Sequence, residues 1–141
     1  MSLDIVYTAA AHATGGGRDG HVRSEDDRID LDTRPPKEMG GSGEGTNPEQ
    51  LFAAGYAACF LGALHVAGKQ LELDTTGAEV SAEVSIGGKG AGGFGLAVEL
   101  DVYAPNVAGP ERQRLAETAH TICPYSNATR GNITVTLSLV D

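Results

Sequence analysis

Residues 45–68 read GTNPEQLFAAGYAACFLGALHVAG, and the fold turns on whether this stretch is one helix. Its ends argue that it is. Asn47 suits the N-cap, Pro48 the first helical position, and Gln50 can complete a capping box. Glu49 in the first turn complements the helix dipole, and Gly68 followed by Lys69 marks a stop. Nearly every face between is apolar or small, which predicts a core helix buried all round. The uncharged run from Leu51 to Leu64 is shorter than the roughly 18 residues of a membrane span. Cys59 stands in this run, and helical spacing puts Phe52, Gly55, Tyr56, Gly62, Ala63 and Val66 on its face. Rings on one side and glycines on the other leave room for a partner helix or a small apolar ligand, and spacing alone does not choose.

A length of 141 residues predicts a single domain, 1–141, able to bury a sizeable core. The net charge of -9, with Lys and Arg totalling 10 and scattered, argues against nucleic acid and against an anionic membrane surface. Met1 to Tyr7 is too short and carries Asp4, so no signal peptide is read there and a cytoplasmic location is expected.

Around the helix the chain alternates in period two. Residues 3–13 are β-prone and end in a glycine-rich turn, Thr14 to Gly20. His21–Ser24 and Arg28–Asp32 read as short strands of a meander, with Glu25, Asp26 and Asp27 as a solvated tip. Residues 34–46 are a Pro- and Gly-rich connection. Ala78–Ile86 and Phe94–Tyr103 alternate as a hairpin, about 111–122 is a second helix, and Ile133–Val140 a last strand. Strands, helix, strands, helix, strand in that order make the class α+β.

The chemistry-bearing candidates are few. Cys59 and Cys123 are 64 residues apart, and in a reducing compartment they are either inert buried thiols or a redox pair. Cys123 ends the second helix, where Pro124 stops it. Arg18 lies in the glycine-rich turn; it either points to water or reaches a thiol and lowers its pKa. Glu49 either complements the dipole or grips the guanidinium with both oxygens. His12, His21, His65 and His120 are dispersed, and the His120–Cys123 pair lacks the further ligands zinc needs, so no metal is expected. No dinucleotide or phosphate loop occurs, and no cofactor is expected.

Three segments carry a resemblance: TNPEQLFAAGYAACF around Cys59, CPYSNATRGN at Cys123, and ATGGGRDGHVRS around Arg18. Together they resemble the organic hydroperoxide resistance proteins, within the osmotically inducible protein C superfamily, over nearly the whole chain. One departure is three glycines before Arg18 where two are expected. The resemblance implies antiparallel sheets wrapped around two central helices in an intertwined homodimer. It also implies a thiol peroxidase acting on organic hydroperoxides. Carried over by position, Cys59 is the peroxidatic cysteine, Cys123 the resolving one, Arg18 the thiolate-stabilising cation and Glu49 its partner. The reductant so implied is a dithiol, a lipoylated protein.

Two further expectations follow from helix geometry. Glu49 and Cys59 are about 15 Å apart in rise, so Arg18 paired to Glu49 is expected to serve Cys59 of a second subunit. The apolar face of Phe52, Tyr56 and Val66 is expected to favour bulky alkyl or aryl hydroperoxides. The rival class is a non-catalytic apolar-ligand binder or thiol redox sensor.

Overall fold

The structure, a computed structural model, describes residues 2–141. Its contacts gather into two compact units, one ending at Leu51 and the other comprising Phe52–Asp141.

The first unit is a three-stranded antiparallel meander of β1 (Ala11–Gly15), β2 (Gly20–Ser24) and β3 (Asp30–Thr33). The expected strand over 3–13 is realised only at its end, because a strand needs a pairing edge and β2 offers none beyond Ser24. The last bond on that side runs from the Glu25 N–H to the Ala10 carbonyl at 3.0 Å. Leu3, Ile5, Val6 and Tyr7 are left exposed, outside any strand. A single 3-10 turn, Lys37–Met39, punctuates the connection to α1 (Pro48–Leu71).

At the start of α1, Asn47 Oδ1 accepts the Gln50 N–H at 2.8 Å, the expected cap. Gln50 departs from the capping box: its side-chain oxygen takes the Thr46 hydroxyl at 3.0 Å. The helix also runs three residues past Gly68. That glycine is used for close approach, since a Cβ there would lie 2.5 Å from Thr75 Cγ2. The stop is Glu72, at φ 57°. The Leu73 N–H returns to the Gly68 carbonyl (2.8 Å) and the Glu72 N–H to that of Lys69 (3.3 Å), a Schellman ending on a residue other than glycine.

The second unit is a sheet ordered β4 (Glu79–Gly88), β5 (Phe94–Tyr103), β6 (Val135–Val140), with α2 (Gly109–Ile122) and α3 (Pro124–Thr129) between β5 and β6. β4 and β5 form the expected antiparallel hairpin. β6 joins parallel to β5, because the helical crossover returns the chain to the same end of the sheet. Alternation in a strand fixes which side chains face the core, and says nothing of strand direction.

α1 buries one stripe, Tyr56, Phe60, Ala63, Leu64, Ala67 and Gly68, spaced as a helical face. The expectation of burial all round is thus corrected: Ala54, Ala58, Gly62, His65 and Val66 are exposed. The stripe shares one apolar cluster with Leu100 and Val102 of β5 and Leu115 and Ala119 of α2. Burying a leucine such as Leu64 removes enough apolar surface from water to stabilise the fold by about 2 kcal/mol. By length and composition alone α1 passes as a membrane span, at mean hydropathy 1.6, as the core helix of a globular fold also can, and a third of that stretch is already buried here.

Candidate active site

In the first unit, the β1–β2 turn presents Arg18. Its guanidinium grips Glu49 with both arms, Nη1 to Oε2 at 3.0 Å and Nη2 to Oε1 at 2.8 Å. The pairing holds the Glu49 carboxyl below the ordinary carboxylate range and raises the Arg18 pKa, with the hydrogen bond as the largest cause in each case.

What holds the turn is a residue the sequence reading missed. Thr33 Oγ1 accepts the Gly20 N–H at 2.9 Å and donates to the Gly17 carbonyl at 2.6 Å, fastening both sides of the loop around Arg18. Thr33 is only 1% exposed, which marks that hydroxyl as structural. A Cβ at Gly20 would meet the Thr14 carbonyl at 2.1 Å, so the loop closes on glycine alone. The signal for Thr33 in the sequence was no more than a threonine at a strand end.

In the second unit the two cysteines come together. Cys123 Sγ lies 3.5 Å from Cys59 Sγ and donates its S–H to it, and the two form no disulfide. Cys123 is fully buried and Cys59 partly so. Pro124 explains the placement. It ends α2 and, with its fixed φ, also opens α3 at the first helical position. Cys123 is the extended residue between the helices, at φ -61° and ψ 121°, as the residue before a proline must be. The helix α3 was not anticipated, because a proline read as a stop also serves as a start.

The Cys59 thiol pKa is raised. Burial is the largest cause; the Tyr125 N–H in the first turn of α3 works against it, and the neighbouring Cys123 adds to the rise. Thus the surroundings that act on Cys59 within this unit favour the thiol over the thiolate.

Phe52 and Tyr56 meet Tyr125, with ring centroids 5.6–6.2 Å apart. Tyr56 is 0% exposed, Phe52 is partly buried, and Val66 is 45% exposed on α1. Gly55 makes room for Tyr125: a Cβ there would stand 2.7 Å from its hydroxyl. Among the described residues no group of three or more His, Cys, Asp or Glu could hold a metal ion.

An α+β scaffold that brings a helix-borne thiol against a second, buried thiol defines a two-cysteine thiol protein. The family model described as OsmC-like protein matches residues 41–138. An organic hydroperoxide resistance protein of Xanthomonas axonopodis pv. citri (strain 306) is 53% identical over 137 residues, covering 96% of this chain and 95% of that protein. An organic hydroperoxide resistance protein from Elizabethkingia anophelis, crystallised with crystallant-derived thiocyanate bound, superposes at a TM-score of 0.92. It is 48% identical, and the match covers 99% of each chain. OhrB of Bacillus subtilis, an organic hydroperoxide resistance protein, gives a TM-score of 0.82 at 46% identity, over 95% of this chain and 98% of that one. The chain belongs to the OsmC-like family, among the organic hydroperoxide resistance proteins.

Proposed function

We propose that this protein acts in organic hydroperoxide resistance as a thiol-dependent peroxidase, reducing alkyl, aryl or fatty-acid hydroperoxides to alcohols. The observation that carries the reading is the Cys59–Cys123 pair at 3.5 Å. The Cys59 thiolate attacks the terminal peroxide oxygen and the O–O bond breaks. The alcohol leaves, and sulfur is oxidised to a sulfenic acid. Cys123 condenses with it, forming the S–S bond and expelling water, and an external dithiol, a lipoylated protein, reopens the disulfide by exchange.

Because burial within its own unit raises the Cys59 pKa, the thiolate needs a cation to stabilise it. Arg18, oriented by Glu49, is proposed to supply it to Cys59 of a second subunit in a homodimer. The exposed apolar face of α1 and the uncovered Leu3–Tyr7 segment are consistent with burial against a second copy. Phe52 and Val66, with Tyr56 behind Phe52, are proposed to receive the organic part of the substrate.

The test is turnover of cumene hydroperoxide with dihydrolipoamide by the wild type, Cys59→Ser and Cys123→Ser. Turnover by the wild type that vanishes in Cys59→Ser supports the peroxidase. Stoichiometric oxidation of wild type without turnover supports a redox sensor instead.

A further inference from the structure

A buried chain of hydroxyls lies beside the thiol pair; of its members only Tyr56 has a role in the proposed reaction, and that through its ring. Tyr56 Oη is 2.8 Å from Ser126 Oγ and 3.1 Å from Thr129 Oγ1, and Ser126 Oγ is 2.8 Å from His120 Nδ1. Tyr56 and Ser126 are 0% exposed and Thr129 6%.

Counting protons gives the chain a direction. Thr129 Oγ1 also reaches the Ser126 carbonyl at 3.2 Å, and only a donor can satisfy that oxygen. Thr129 then accepts from Tyr56, Tyr56 from Ser126, and Ser126 from His120 Nδ1–H. This is the arrangement that satisfies all four bonds at once. Burial, with Arg130 nearby, lowers the His120 pKa, and this direction of the chain requires the Nδ1–H tautomer of the ring.

The placement along the chain is regular. Tyr56 sits one turn before Cys59 on α1, while His120 and Ser126 flank Cys123 three residues to either side, on α2 and α3. A bond from Tyr56 to Ser126 therefore ties the turn next to one sulfur to the turn next to the other. Cys123 itself stands between two helices, its N–H on the Ala119 carbonyl at 2.9 Å and its own carbonyl on the Asn127 N–H at 3.0 Å, so its placement follows the turns on either side. Buried hydroxyl chains with every partner satisfied specify one geometry, because any shift leaves a polar group unpaired in a dry interior.

We propose that the His120–Ser126–Tyr56–Thr129 chain is a positioning device that holds the Cys123 thiol against Cys59 for the condensation step. The proposal rests on the peroxidase reading. In that step the Cys123 sulfur attacks the sulfenic sulfur, the S–S bond forms and the S–O bond breaks. The Cys123 proton leaves with the hydroxide as water. The competing fate is a second hydroperoxide, which oxidises the sulfenate to sulfinate and itself becomes an alcohol. Misplacing Cys123 slows the first fate and leaves the second untouched.

The experiment compares wild type, Thr129→Val and Ser126→Ala by rapid mixing with cumene hydroperoxide, trapping sulfenic acid with a dione and weighing the products. Expected is an oxidation rate of Cys59 within twofold of wild type, a disulfide formation rate at least tenfold lower, and sulfinate at Cys59 under excess peroxide. The double variant should be no slower than the slower single one, since both break one chain. Disulfide formation within twofold of wild type in both variants overturns the proposal, as does an equal fall in both rates. Should one variant not fold, the other carries the test; should neither fold, the hydroxyls serve the fold alone and the proposal fails. A wild type that never forms sulfenic acid refutes the peroxidase reading itself.

Discussion

The Cys123 thiol, fully buried, donates to the partly exposed Cys59 sulfur across 3.5 Å with no disulfide between them. The reduced protein therefore already holds the geometry from which a disulfide forms, and forming it requires only a small approach of α1 and the α2–α3 junction. Closing a loop across 64 positions removes denatured-state freedom worth up to roughly 4 kcal/mol. The oxidised protein should resist urea better than the reduced one. A lower urea midpoint after oxidation would mean that strain at the junction outweighs the chain entropy.

Arg18→Lys separates two roles of the guanidinium. Lowering a thiol pKa from about 8.5 to about 6 raises the thiolate fraction roughly tenfold near pH 7.4. The same shift lowers nucleophilicity roughly tenfold. The effects nearly cancel, so under the proposed peroxidase reading a fast site needs Arg18 to stabilise charge on the departing oxygen as well. The lysine keeps the charge and loses the fork held by Glu49. At matched thiolate fraction its rate of Cys59 oxidation should fall at least tenfold; an unchanged rate constant would reduce Arg18 to a pKa effect.

Thr33→Val removes the hydroxyl that fastens the Arg18 loop and strands the Gly20 N–H and the Gly17 carbonyl. Leaving such groups unpaired in a buried place costs about 1–3 kcal/mol. Thermal or urea unfolding should show that loss, together with weaker protection of the Gly17–Gly20 amides from hydrogen exchange. Full stability in the variant would count against Thr33 as the anchor.

Two histidines should give pH dependences of opposite sign. His120 has a lowered pKa, burial being the main cause. The unfolded chain takes up that proton first, so stability is lost as pH falls below about 6.5 toward the folded value. His21 lies between the Asp32 and Asp30 carboxylates, at 2.8 and 2.5 Å, which raise its pKa. Its contribution is fully present below about 6.5 and is lost as pH rises through the folded value. Urea midpoints between pH 5 and 8 should drop less on acidification in His120→Gln than in wild type. In His21→Gln they should drop more, and matching slopes in all three chains would contradict both assignments.

Glu72 ends α1 in the left-handed region, at φ 57°. A side chain there costs roughly 1–2 kcal/mol, against the smaller entropic cost of glycine in the unfolded chain. Glu72→Gly should raise stability by about 0.5–1 kcal/mol without altering turnover, as read from urea midpoints and the peroxidase assay. A loss of stability would mean that Glu72 makes contacts outweighing its backbone strain.

Local signals in the sequence determined much of this protein. The caps around Asn47 and Pro48 and the apolar run behind them made α1 legible, and the period-two alternation made β4 and β5 legible, because these depend on residues within a few positions of one another. The segments around Arg18, Cys59 and Cys123 pointed to the family. Tertiary structure alone decided the rest: that β6 runs parallel to β5, that Pro124 begins a helix as well as ending one, that Gly68 is a contact and Glu72 the stop. It alone set the two sulfurs at 3.5 Å, buried Tyr56 against Ser126 and made Thr33 the anchor of the Arg18 turn. The sulfur pair, the Tyr56–Ser126 bond, the Thr33 anchor and the direction of β6 depend on groups brought together from distant parts of the chain, while Pro124, Gly68 and Glu72 were decided by burial and hydrogen-bond partnership, which have no counterpart in the pattern of residue types.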